Sequence, residues 1–154
     1  METKQKILDQ TFDLIMKYGI RSVSMDDISR GIGISKKTIY QYFDNKKSLI
    51  KEVIENYIKK DETDITSIIN KAEDAIDEML QVAKHVLVFL RSMSPSMMFD
   101  TQKYYPQIWK IVESRHFNFI QNTVVVNIKR GQEEGFYCND IDADIISKMY
   151  FTYP

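Results

Sequence analysis

The side chains best able to do chemistry are crowded into one short stretch. After Ser35, the order Lys36-Lys37-Thr38-Ile39-Tyr40-Gln41-Tyr42-Phe43 puts Ile39 and Phe43 four residues apart, so both turn inward if the stretch is helical. Lys36, Lys37, Thr38, Tyr40 and Gln41 then project outward or toward the flanks near the N-terminal end of that helix. An ammonium group can donate to a phosphate or to guanine O6/N7, a hydroxyl or amide to either, and a phenol ring can cover a thymine methyl. This is the chemistry of DNA recognition. The same spacing also fits a solvated turn between two packing helices.

Catalytic and metal-binding chemistry find less support. The two histidines, His85 and His116, sit on separate predicted helices, and no pair of ligands has the i, i+4 spacing of the H-x-x-x-H kind. There is no G-x-S-x-G elbow, no phosphate-binding glycine loop and no dinucleotide fingerprint. The paired acids Glu133 and Glu134 stand beside Gly135, where solvated capping accounts for them. The chain therefore reads as a non-enzyme without metal or cofactor. Its single cysteine, Cys138, cannot form an internal disulfide, which suits a reducing compartment.

The elements that must position the basic stretch are helices. Residues Thr3 to Tyr18 place Ile7, Leu8, Thr11, Phe12, Ile15 and Met16 on one face, and Gly19 follows as a stop. Ser24 is set to cap a second helix with Asp26 and Asp27 in its first turn, ending near Gly31 to Gly33. Ser35 caps a third, predicted over Lys36 to Phe43. Asn45 caps a fourth, with Leu49, Ile50, Val53, Ile54, Tyr57 and Ile58 on one stripe. Three helices in about 45 residues, the second and third joined through Gly33, have the layout of a helix-turn-helix.

Charge agrees. Residues 1–60 hold 12 Lys and Arg against 8 Asp and Glu, whereas 61–154 hold 9 against 14. A basic front end with an acidic body points to a polyanion meeting the front end alone. Apolar residues make up 44% and charged residues 28%, the composition of a folded globular chain. No apolar run approaches the roughly 18 residues of a membrane span, and METKQKILDQ lacks a signal peptide's apolar core, so the reading is cytoplasmic.

The run from Gly33 to Leu49, GISKKTIYQYFDNKKSL, resembles the signature segment of TetR-family transcriptional regulators, roughly G-V-S-x-x-T-L-Y-x-Y-F-x-x-K-x-x-L. The helix ending Lys17-Tyr18-Gly19 and the segment Ser24-Met25-Asp26-Asp27-Ile28-Ser29 match the family as well. The resemblance implies an all-α protein: a three-helix helix-turn-helix DNA-binding domain over 1–45 and a helical effector-binding and dimerisation body over 46–154. It implies that Lys36, Lys37 and Tyr40 face bases and that Thr38, Tyr42 and Lys46 hold phosphates, with Gln41 beside them. Asp26 departs from the family, some members of which use a basic residue there to touch a base; Lys4 or Lys6 would assist helix three instead.

The body is less diagnostic. From Lys46 to Met93 there is no Gly or Pro, which would allow one helix of about 48 residues, roughly 72 Å long. A compact domain cannot use that, so a break is expected around Asn70 to Asp74, with a fifth helix over Ala75 to Met93. The stretch Pro95 to Tyr105 reads as a loop with a short helix, and Pro106 as the start of a long helix reaching Gly131 or Glu134. Large adaptable side chains accumulate at Phe89, Met93, Met97, Phe99, Tyr105, Trp109, His116, Phe117 and Ile120. Such a stripe fits plain core, or a pocket for a hydrophobic or aromatic effector. In the family, ligands in this region tilt the fourth helix and move the two DNA-reading heads of a homodimer. Asp142 is set to cap a last helix with Ile145, Ile146, Met149, Tyr150 and Tyr153 on an apolar stripe, and the body is expected to be incomplete beyond it. The resulting expectation is a ligand-responsive repressor that binds a palindromic operator as a dimer. The alternative is a TetR-like structural DNA-binding protein without an inducer.

Overall fold

The structure, a computed structural model, describes residues 2–149. Among them every regular element is helical: α1 (Glu2–Tyr18), α2 (Met25–Ile32), α3 (Lys36–Tyr40), α4 (Lys46–Lys71), α5 (Ala75–Ser92), α6 (Met97–Tyr104), α7 (Pro106–Ile111), a π-helical segment (Val112–Phe117), α8 (Asn118–Glu133) and α9 (Ala143–Met149). None is long and apolar enough to cross a membrane. The chain divides into two compact units. One runs up to Lys59 and takes in Arg91–Ile111; the other comprises Lys60–Leu90 and the residues from Val112 on.

The first unit is ordered by its helix ends. Ser24 accepts from the Asp27 amide while the Asp27 carboxylate accepts from the Ser24 amide at 2.8 Å, a capping box that satisfies two of the amides a helix start leaves open. Gly33 ends α2 at φ +76°, where a side chain would be strained, and its amide reaches Ser29 and Arg30 oxygens. Ser35 caps α3 through the Thr38 amide at 3.1 Å, and Asn45 caps α4 through the Ser48 amide at 2.9 Å. Between these caps Ile7, Ile15, Ile28, Ile39, Leu49 and Ile50 are fully buried. Phe12 is half-buried and stacks on Tyr57, rings 4.5 Å apart.

The loop leaving α5 returns to α1. Ser94 donates its amide to the Met16 carbonyl at 2.7 Å, and a Cβ at Gly19 would stand 2.9 Å from the Ser96 hydroxyl. Arg21 lies over the Tyr104 ring at 4.3 Å and donates to its hydroxyl at 3.1 Å.

The second unit is ordered by long-range polar contacts around the α4–α5 turn. Arg130 pairs with Glu78, whose side chain is almost wholly buried, at 2.8 Å, and with Glu134. The same guanidinium donates to the Glu73 carbonyl, and Glu134 accepts from the Ala75 amide at 2.7 Å. Asn127 and the Tyr137 hydroxyl both donate to the Ala75 carbonyl. A small apolar cluster of Val124, Ile128 and Ala143, with Tyr137 and Ile146 against it, joins α8 to α9.

Three features differ from the periodicity reading. The third helix stops at Tyr40 rather than Phe43. The Gln41 amide is shared between Lys37 and Thr38 oxygens and the Tyr42 amide turns to Ile39, a tightened end that delivers Phe43 to the core. The long helix from Pro106 is interrupted by the π turn at Val112–Phe117. At the C-terminal end, Asp142 caps α9 as expected, accepting from Asp144 and Ile145 amides at 3.0 Å. Ile146 packs inward, while Ile145 and Met149 are exposed; Tyr150 and Tyr153 lie outside the described residues.

Candidate nucleic-acid interface

All seven side chains expected to meet DNA fall in the first unit, on α3, the turn after it and the start of α4. Lys36, Lys37, Tyr40, Gln41 and Tyr42 are exposed, and Thr38 and Lys46 are half-buried. Tyr40 and Tyr42 keep 49% and 42% of their surfaces in solvent, although Ile39 between them is fully buried. Large rings held outward beside two lysines are positioned to lie against base edges or sugars. The Ser35 cap is coupled to Thr38 twice, through the amide and through a 2.9 Å contact between the two hydroxyls. The presenting face is therefore held rigid at its N-terminal turn.

Two lysines have additional partners that spacing alone did not announce. Lys36 pairs with Asp26 at 2.9 Å, bridging α3 to the first turn of α2, and the carboxylate beside it holds its ammonium above the usual lysine range. Asp26, which stands where some members of the family have a basic residue, here neutralises a neighbouring cation in the same surface. Lys46 donates to the Ile20 carbonyl at 2.6 Å, tying the start of α4 to the loop after α1. Burial pushes its ammonium below the usual range, with Asp27 opposing. Lys4 pairs with Glu52 and lies 5.5 Å from the Phe43 ring centre. These links join residues 10 to 48 positions apart, so no local pattern signals them.

The residues expected to line an effector pocket fall in both units. Met93, Met97, Phe99, Tyr105 and Trp109 belong to the first. Met97 is buried, Phe99 is 58% exposed with the Lys103 ammonium 5.2 Å over its ring, and the other three are half-buried. Burial together with the Asp100 charge raises the Tyr105 hydroxyl above its usual value. Phe89, His116, Phe117 and Ile120 belong to the second unit and are half-buried. Two open depressions, of about 410 Å³ beside Ser48, Lys51 and Ile108 and about 630 Å³ beside Thr66, Asn70 and Phe119, are lined by other side chains.

The profile of bacterial regulatory proteins of the tetR family matches residues 7–53, the segment that carries the capped α2 and the exposed α3. Residues 7–53 belong to that family. An uncharacterized HTH-type transcriptional regulator, YvaF of Bacillus subtilis, is 24% identical over 151 residues, 95% of this chain and 76% of the relative. The negative transcriptional regulator of the biofilm operon icaADBC in Staphylococcus epidermidis, IcaR, is 34% identical over 53 residues, 34% of this chain and 29% of that protein. A solved transcriptional regulator from Saccharomonospora viridis, in complex with choline, shares the fold at TM-score 0.77 and 21% identity, covering 96% of this chain and 79% of its own. These relatives are transcription regulators, not enzymes.

Proposed function

We propose that the chain is a ligand-responsive repressor that binds a palindromic operator as a homodimer in the cytoplasm. Residues 1–45 read DNA, and residues 46–154 bind an effector and contribute to the dimer. The observation that carries this reading is the exposed, cap-locked face of α3 inside a segment that matches the family. Lys37 and Tyr40 meet base edges. Lys36 does so while tied to Asp26, which fixes its direction. Thr38, Gln41, Tyr42 and Lys46 hold the backbone. Two-fold symmetry would set the recognition helices roughly 34 to 36 Å apart, one turn of B-DNA.

The effector is read as a small molecule with an apolar body. Support for an apolar body comes from the half-buried aromatic side chains Phe89 and Phe117 of the second unit, and support for a small molecule from the structural neighbour that holds choline. Such a molecule must favour the conformation that releases DNA, and DNA must then weaken its binding by the same factor.

The test is fluorescence anisotropy with duplexes tiled across the promoter of the chain's own gene. Specific binding to one duplex is expected, abolished when Lys36, Lys37 and Tyr40 are all changed to Ala. Retained specific binding by that triple variant would remove α3 as the reading element.

A further inference from the structure

The start of α4 and the helix α7 border an open depression of about 410 Å³ in the first unit, none of whose lining residues has so far been placed against DNA or an effector. Its lining divides by chemistry. Ile108 is 1% exposed and Ile111 is half-buried, so core packing fixes the apolar side and leaves chiefly the Ile111 surface open. Lys47, Lys51, Asn45 and Gln107 are exposed and supply the polar side, and no Asp or Glu joins them. Lys47 and Lys51 stand four residues apart, neighbours on one helix face, where two like charges oppose helix formation unless something compensates them. Lys51 reaches Glu55 at 3.9 Å, the outer limit of an ion pair, and among the described residues no carboxylate pairs with Lys47. Asn45 accepts from the Ser48 amide through its side-chain oxygen, which leaves the two N–H donors of its amide nitrogen for another acceptor.

We propose that this depression binds a small organic anion, a carboxylate or phosphate group on a compact apolar body, with Lys47 and Lys51 holding the anion and Ile111 covering the body. The size fits, since about 410 Å³ falls in the range of roughly 300–1,000 Å³ that small-molecule sites occupy. Two ammonium groups beside an apolar wall raise the local concentration of an anion. The side-chain amides of Asn45 and Gln107 donate to the oxygens that the lysines leave open. A bare inorganic ion would satisfy the lysines and leave the Ile111 surface wet. A DNA backbone phosphate would do the same, because contacts to the backbone are polar and bury no compact apolar group. Charge and apolar surface on one wall are both used only by a molecule that carries both.

Both lysines are exposed, so each contributes modestly: about two- to fivefold in affinity, the range of a solvent-exposed ion pair, and less as salt is added. The site lies wholly within the first unit and depends neither on the reading of α3 as the DNA-reading element nor on an effector bound by the second unit.

The experiment is a proton–nitrogen NMR titration of the full chain with benzoate, phenyl phosphate, benzyl alcohol and inorganic phosphate. Benzoate and phenyl phosphate should shift the amides of residues 45–51 and 107–111 saturably, and either order of the two supports the site and names its preferred anion. Benzyl alcohol, which lacks the charge, and inorganic phosphate, which lacks the body, should bind more weakly than both. Lys47→Gln and Lys51→Gln should each weaken the two aromatic anions about two- to fivefold. Lys60→Gln, at an exposed lysine of α4 outside the lining, should leave them unchanged. Equal binding of benzoate and benzyl alcohol would remove the lysines from the site, and equal binding of phenyl phosphate and inorganic phosphate would remove its apolar side; either result overturns the proposal. Saturable shifts confined to other residues overturn it as well. So does failure of all four probes to saturate, and a loss of duplex affinity in the Lys47→Gln, Lys51→Gln double variant would then assign the two lysines to the DNA backbone. If a variant does not fold, the wild-type series of four probes decides alone.

Discussion

The half of the first unit proposed to meet DNA and the α4–α5 corner of the second are held by opposite strategies. In the former, Ser24 with Asp27, Ser35 with Thr38 and Asn45 with Ser48 close each helix start over three residues. In the latter, Arg130 reaches Glu78 across 52 positions, Glu134 reaches Ala75 across 59 and Tyr137 reaches Ala75 across 62. Local caps satisfy the amides that each helix start leaves open and so fix where these short helices begin, while packing of their apolar side chains supplies the stability. The second unit instead depends on contacts whose partners meet only after the chain has folded back. Its stability should respond more sharply to a single substitution.

The largest expected effect is therefore at Arg130. Arg130→Ala would leave the Glu78 carboxylate, 3% exposed, without its cation and free two carbonyls at the α4–α5 turn. Chemical denaturation followed by circular dichroism should show a larger loss of stability than any cap variant, because a buried carboxylate is left without its cation. Loss no greater than that of a cap variant such as Ser24→Ala, about 1 kcal/mol, would break the contrast between the two regions.

Two glycines sharpen the same contrast at smaller magnitude. A Cβ at Gly131 would stand 2.1 Å from the Tyr137 ring, so Gly131→Ala must displace a ring that also bonds Ala75 and Asn127. Overpacking of this kind costs about 1–3 kcal/mol and sometimes more. At Gly33 no atom lies within 4 Å, and only the φ of +76° resists a side chain. Gly33→Ala should cost about 1–2 kcal/mol, the penalty of the left-handed conformation alone. Removing the ring with Tyr137→Ala should relieve the clash at residue 131 and leave residue 33 unaffected; equal behaviour of the two glycines in that background would contradict the packing argument.

The same division explains how much of the fold is legible in the residues alone. Every helix of the first 60 residues is announced by a cap and a stripe, and those signals are local because the interactions are local. The end of α3 is the exception, because the tightened turn over Gln41 and Tyr42, and not α3 periodicity, delivers Phe43 to the core. The break between α4 and α5 follows only from compactness; the Arg130 and Tyr137 contacts that secure it leave no periodic trace. Likewise the π turn reflects the need of Arg115 and His116 to meet Glu62 and Asp61, 53 and 55 positions earlier. Within the candidate DNA surface, residue types and exposure followed from spacing, whereas the Lys36–Asp26 pair depends on how α3 crosses α2.

The smallest expected effect concerns two lysines, Lys46 and Lys37, both proposed to meet DNA. Lys46 is the long-range contact in an otherwise locally capped start of α4: its ammonium, bonded to the Ile20 carbonyl, ties residues 26 positions apart. Lys46→Ala should lower the stability of the first unit by about 1 kcal/mol, the usual net loss of one hydrogen bond. It should also weaken binding to specific and unrelated duplexes alike, because a phosphate contact carries no sequence information. Lys37 is exposed, and Lys37→Ala should leave stability within about 0.5 kcal/mol of wild type while changing the preferred sequence. If Lys37 instead contacts phosphate, its removal would reduce the slope of log K against log salt by about 1 per half-site with preference unchanged. Measuring denaturation and salt-dependent anisotropy on both variants separates the roles, since stability reports the Ile20 bond, the salt slope counts phosphates, and the ratio between duplexes reads base recognition. A Lys46→Ala protein of unaltered stability would mean that the bond to Ile20 contributes nothing, leaving the start of α4 as local in its energetics as the caps around it.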